Sequence, residues 1–153
     1  MCNNLIAMSA SPISARIADP ATPRAVLEFA IERKSVLTAL QNGDPLMDDP
    51  FDAHEYLFKA AQFHGEATDR DCPVCESEKL VELRYVYGKE LGPYSGRIKS
   101  YQEITEMAYR FGNLKVFMVE VCQACHWNYL IRSYQVGDGV PRRSLRRSRD
   151  WLD

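Results

Sequence analysis

Four of the five cysteines in this 153-residue sequence fall in two pairs, Cys72-Pro-Val-Cys75 and Cys122-Gln-Ala-Cys125, with 46 residues between the pairs. The second pair runs on into His126, and Cys-x-x-Cys-His is also the text to which a c-type haem is attached. That chemistry needs export from the cytoplasm and a second axial ligand. Nothing in MCNNLIAMSASPISAR reads as an export signal, since no basic residue precedes Arg16 and its apolar stretch is short. Neither His54 nor His64 is marked as an axial ligand. A thioredoxin-type dithiol would use only one pair and lacks a βαβ setting. Two C-x-x-C turns brought together supply four thiolates, the set that tetrahedral zinc binds at about 2.3 Å. The expected ligands are therefore Cys72, Cys75, Cys122 and Cys125, holding one structural zinc ion. Iron in a rubredoxin-like site is the alternative, because it takes the same sulfurs. A metal-free cluster of buried thiols is the plainest competing reading. His126 could replace a ligand or bond a sulfur, but a polar residue leaving the turn explains it more simply. Cys2 reads as an incidental thiol.

The elements that must bring these turns together can be sketched from periodicity. Residues 1–21 read as a disordered leader. Residues 22–66 read as a helical hairpin. Its first helix spans Thr22 to Asn42, with Thr22 as cap, Pro23 first in the helix and Gly43 as stop; its second spans about Phe51 to His64, capped by Asp49 and stopped by Gly65. From Lys79 to Tyr87, KLVELRYVY alternates as a strand does. Ser100-Tyr-Gln-Glu103 is a capping box opening a helix over about 100–111, which carries Ile104, Met107, Ala108 and Phe111 on one side. Leu114 to Val121 is nearly all apolar, as in a central strand, and Trp127 to Val136 is a third strand. If the middle strand pairs antiparallel with both neighbours, the two cysteine turns arrive at one end of the sheet. The expected architecture is α+β: a helical hairpin, then at 67–137 a three-stranded antiparallel zinc ribbon with an inserted helix. The long gap between the cysteine pairs is that insert.

The chain is 46% hydrophobic and 26% charged with net charge −2, and lacks an apolar run of membrane-spanning length, so a cytoplasmic protein is expected. Its charge is segregated. Within the basic tail at 138–153, Val140 to Asp153 holds Arg142, Arg143, Arg146, Arg147 and Arg149 against Asp150 and Asp153, a net +3 that leaves −5 for the remainder.

The runs RDCPVC, YVYG and VEVCQACHWNYLIRSY resemble a family of short actinobacterial proteins known only as a domain of unknown function. RKSVLTALQNG and DAHEYLFKAAQFHG extend the likeness to the first half, so that it covers about Ala25 to Gly137. The four cysteines, Trp127, Asn128, Arg132 and Tyr134 coincide with that motif, while His126 stands where the family more often has Gly. The resemblance implies a cytoplasmic zinc-ribbon protein and carries no activity with it.

Three functional readings follow. In the first, a non-enzymatic module contacts RNA, DNA or a ribonucleoprotein or transcription machine. Arg84, Tyr85, Arg132 and Tyr134 on the ribbon face and the five tail arginines would supply stacking and phosphate contacts. In the second, the hairpin docks a protein partner and the metal is purely structural; Phe29, Val36 and Leu37 give it apolar residues on more than one side. An enzyme is the weakest reading. A closed four-thiolate site leaves no coordination position for hydrolysis, and His54-Glu55, His64-Glu66 and His126 are scattered.

Overall fold

The computed structural model describes residues 18–44, 49, 51 and 54–146. Ten elements follow one another: β1 (Arg24–Glu28), α1 (Ala30–Asn42), α2 (Glu55–His64), β2 (Glu66–Asp71), β3 (Lys79–Tyr87), a 3-10 segment (Lys89–Tyr94), β4 (Arg97–Ile98), α3 (Tyr101–Ala108), β5 (Leu114–Val121) and β6 (Asn128–Val136). The class is α+β, built on an antiparallel sheet.

The three strands expected around the cysteine turns are present, with β5 between β3 and β6 and antiparallel to both. They form the middle of a larger sheet, not a free-standing three-stranded ribbon. The strand order is β1-β6-β5-β3-β2, with β4 also paired to β3. Alternation divides the sheet into two faces. Leu80, Glu82, Arg84 and Val86 of β3 share a front face with Leu114, Val116, Met118 and Glu120 of β5. Val81, Leu83, Tyr85 and Tyr87 share the back with Lys115, Phe117, Val119 and Val121.

The insert helix α3 begins as its text predicts. Ser100 Oγ accepts the Glu103 amide, and the Glu103 carboxylate accepts the Ser100 amide at 2.8 Å. It lays Ile104 and Ala108 on the front face against Val86, Leu114, Val116, Tyr134 and Val136.

The helical hairpin is corrected. Thr22 and Pro23 do not open a helix; Arg24–Glu28 is a strand that pairs with β6, Leu27 opposite Ser133 and Glu28 opposite Arg132. That pairing uses the outer backbone of β6, which would otherwise be an open edge. Helix α1 therefore starts only at Ala30 and ends at Gly43, whose φ of 65° is the left-handed stop expected there. Nor do the two helices pack as a pair. Val36 and Leu37 of α1 sit with Leu80 and Trp127 on the front, whereas Leu57, Phe58, Ala60 and Ala61 of α2 sit with Val81, Leu83 and Val121 on the back. Helix α2 is capped by His54, whose Nδ1 accepts the Tyr56 amide, and Gly65 leaves it in an extended conformation. Asp49 accepts the Phe51 amide instead.

The ends are partly tied down. Ala21 packs on the front core, Tyr109 donates its hydroxyl to Asp19 at 2.6 Å, and Gly137 donates its amide to Pro20. In the basic tail, Leu145 and Arg142 donate their amides to the backbone and side chain of Glu90. Residues 1–17 of the expected leader, Cys2, Pro50, Arg147 and Arg149 lie outside the described residues. Among the described residues no helix is long and apolar enough to cross a membrane.

Candidate metal centre

Cys72-Pro-Val-Cys75 joins β2 to β3, and Cys122-Gln-Ala-Cys125 joins β5 to β6. The two turns share one hydrogen-bond plan. The first cysteine's amide donates across the turn, Cys72 to Glu78 O and Cys122 to Trp127 O, both at 2.8 Å. The first cysteine's carbonyl accepts from the residue after the second cysteine, Glu76 in one turn and His126 in the other, both at 3.1 Å. Those two residues have φ of 53° and 69°, the left-handed conformation that suits glycine best. The geometry supplies a reason for a glycine at position 126, and the side chain there turns to Phe58, with ring centroids 4.0 Å apart. His126 is outside the cysteine cage.

All four Sγ atoms lie within 4.8 Å of one another. Cys72 and Cys125 sulfurs are 3.6 Å apart, as are those of Cys75 and Cys122. A regular tetrahedron with metal–sulfur bonds of about 2.3 Å has edges of about 3.8 Å, so the cage is already close to the size a metal ion requires. The donor set fits zinc or iron alike. Ser77 donates its hydroxyl to Cys75 Sγ at 3.1 Å, and that bond with the Ser77 amide holds the thiol down to about 6. Burial pushes Cys125 up to about 12 and raises Cys122 as well. One thiolate is thus ready, while Cys122 and Cys125 are favoured as thiolates by a cation in their midst. Cys72 and Cys122 are fully buried, and Leu80, Trp127, Val36, Leu37 and Phe51 surround them with apolar surface.

Beside this cage lies a carboxylate that the sequence reading missed. Glu120 is fully buried in the middle of the sheet. Its Oε1 accepts from the Trp127 indole at 2.9 Å and from Arg33 Nε at 2.6 Å; its Oε2 accepts from Arg70 at 3.1 Å. A buried charge must be paired in this way. The bonds connect α1, β2 and the residue that closes the second cysteine turn. The signal was available as a single acidic residue inside the otherwise apolar run LKVFMVEV.

The residues expected to contact nucleic acid do not form one surface. Arg84 and Tyr85 point to opposite faces. Arg84 is largely covered, paired with Glu66 and, at 3.4 Å, with Glu82. Tyr85 is half-buried beside α2, and burial raises its hydroxyl pKa. Tyr134 is 5% exposed in the front core, so it cannot stack on a ligand. Arg132 lies on the front with Nε 2.5 Å from Glu28 Oε1. Arg142 is held by Asp138, at 2.5 Å between Nη2 and Oδ2, while Arg143 and Arg146 are exposed.

Over residues 21–150 the chain matches the family of unknown function DUF5318, and it belongs to that family. It is similar to an uncharacterized protein of Mycobacterium bovis and to one of Mycobacterium tuberculosis. Each is 36% identical over 122 residues, a span covering 80% of this chain and 89% of the relative. These are actinobacterial proteins, as the resemblance implied. No solved structure matches the chain.

Proposed function

We propose that this chain is a non-enzymatic binding module in which Cys72, Cys75, Cys122 and Cys125 hold one structural zinc ion, and whose ligand is single-stranded nucleic acid, free or within a ribonucleoprotein or transcription machine. Zinc is preferred to iron as the usual occupant of a closed four-thiolate structural site, here with Cys72 and Cys122 fully buried. The same reading assigns the protein to the reducing cytoplasm, where free thiolates persist. Two of the three histidines are otherwise engaged: His54 caps α2 and His126 lies against Phe58.

One observation carries the nucleic-acid reading, and it moves the contact surface away from the expected strand residues Arg84, Tyr85, Arg132 and Tyr134. On the back of the sheet, Tyr87 is 45% exposed and meets Phe117 edge to face at 5.5 Å, with Lys115 Nζ 5.7 Å from the Phe117 ring. Lys115 also lines a cavity of about 360 Å³ with Lys89 and Arg142, at the root of the arginine tail. Aromatic faces take bases and neighbouring cations take phosphates. The one acid in that cavity, Glu90, is already engaged by the amides of Gly112 and Arg142.

Fluorescence anisotropy with a single-stranded RNA dodecamer tests this. Three phosphate contacts give a log–log salt slope of roughly −2, and Tyr87→Ala weakens binding by about tenfold, the scale of one lost stacking contact. Absence of binding at low salt, or indifference to both Tyr87→Ala and Lys115→Ala, defeats the proposal.

A protein-docking role is the second reading, favoured by a different observation. Val26 and Leu27 on the edge strand and Ile31 at the start of α1 are 44, 54 and 81% exposed. An apolar edge of this kind suits strand addition by a partner. A pull-down repeated with nuclease separates the two readings: partners lost to nuclease support nucleic acid, and partners that persist support docking.

A further inference from the structure

We propose a second binding site, for a small organic oxyanion, in a cavity of about 470 Å³ on the front of the sheet. It goes beyond the reading above, sharing neither face nor residues with the Tyr87–Lys115 surface. The cavity lies between the start of α1 and residues of β1, β2, β3, β5 and β6, and its size is that of a small-molecule site.

Three guanidinium groups line it, from Arg33, Arg70 and Arg132. Each is held in place by a carboxylate, but not all are used up. Arg70 is spent, with one Nη on Glu120 and the other on Glu82. Arg33 gives only Nε to Glu120, and Arg132 turns Nε to Glu28. Among the described residues, the paired Nη groups of Arg33 and Arg132 donate to nothing. These two forks are therefore positioned donors awaiting an acceptor, and a planar or tetrahedral oxyanion is the acceptor that a guanidinium edge fits bidentately. Burying Glu120 would be costly without its cations, so at least Arg33 has a structural reason to stay where it is.

Two further features select the ligand. Ala30, the first residue of α1, lies at the cavity wall, and α1 has no side chain capping its first turn; the amides there add positive potential to the same rim. Met118 and Ile131 give the floor an apolar patch. The formal charges of Arg33, Arg70 and Arg132 balance those of Glu28, Glu82 and Glu120, so recognition rests on directed hydrogen bonds more than on excess charge. The ligand class is a phosphate or carboxylate carried on a short apolar body.

Amide chemical shifts of the full-length protein, titrated with inorganic phosphate against chloride of equal ionic strength, test the site. Saturable shifts of the Ala30 and Ile131 amides are expected with a millimolar midpoint, moving at least fivefold higher in Arg132→Gln and unmoved in Lys115→Ala. Phenyl phosphate binds more tightly than inorganic phosphate if the apolar floor contributes. Acetate and phosphate run in parallel decide which oxyanion is preferred. Shifts that chloride reproduces, that ignore Arg132→Gln, or that centre on Lys89 and Lys115 overturn the proposal. A failure here leaves the RNA experiment untouched, because that one reads a different face.

Discussion

Removing the proposed metal is the perturbation with the largest expected effect, and its size can be worked from the chain. An ion held by the four sulfurs would tie Cys75 to Cys122 across 46 intervening residues. Treated as a single cross-link, closing a loop of that length removes about 4 kcal/mol of unfolded-state entropy. In a domain of this size 1 kcal/mol moves the melting temperature by about 2–4 °C, so the loop term alone predicts a fall of about 8–16 °C. Metal–thiolate bonding adds to it. The assay has two parts. Mass spectrometry of metals in the purified protein is expected to give one equivalent of zinc, or of iron if that is the occupant. Scanning calorimetry before and after chelation is expected to show the fall, and Cys122→Ser the same loss of metal, while Cys2→Ser changes neither. A protein with less than half an equivalent of metal, whose melting is indifferent to chelator and to Cys122→Ser, would refute the account of these four residues as a metal cage.

Four other outcomes follow from the same structure. His126→Gly retains full metal content with stability near that of the parent, since the strain relieved at φ 69° offsets the lost Phe58 contact; His126→Val, with a branched side chain in the left-handed region, loses about 1–2 kcal/mol in urea denaturation. Glu120→Gln leaves Arg33 without its anion and Arg70 with Glu82 alone, and costs about 1–3 kcal/mol, below the full cost of a broken buried pair because both arginines reach solvent; a midpoint unchanged in urea would contradict it. Ser100→Ala removes the capping box and costs about 1 kcal/mol, read from the same denaturation curves. The Asp138 carboxyl is held down to about 2 by Arg142 and the Val140 amide. Its folded value is below its unfolded one, so its contribution is present above about 3.8 and is lost as pH falls through about 2. Carbon-detected titration should find that midpoint, and Arg142→Ala should return it towards 3.8.

How far the sequence foretold this structure depended on whether the signal was local. The capping box at Ser100 and Glu103 and the alternation in KLVELRYVY are contained within a few residues, and α3 and β3 begin where those signals put them. The paired spacing of the cysteines was equally direct, because two C-x-x-C turns in one chain form a four-sulfur set, and the structure brings those sulfurs together. The segment Arg24–Glu28 failed for the opposite reason. Thr-Pro followed by mixed residues is good helix-start text, and only the exposed edge of β6, more than a hundred residues later, makes it a strand. Likewise β2, EATDRD, has the composition of a loop; its charges suit the sheet edge that it forms. Periodicity showed that α1 and α2 each bury one side, but not that the sheet runs between them. The surroundings of the candidate binding residues were not legible, because an arginine or tyrosine in a strand has no sequence mark saying what will cover it or pair with it. Tyr134 went to the core and Arg84 to two glutamates.

Helix α1 has no fully buried residue. It is fastened to the sheet by one ion pair through Arg33 and by the half-covered Val36 and Leu37, which rest on the cysteine turns. Such an element is the first to detach in hydrogen exchange. Its detachment would unroof the thiolates and dismantle one wall of the arginine cavity in the same movement. Metal retention and occupancy of that cavity would then rise and fall together, each acting as a latch on the other through a single thirteen-residue rod.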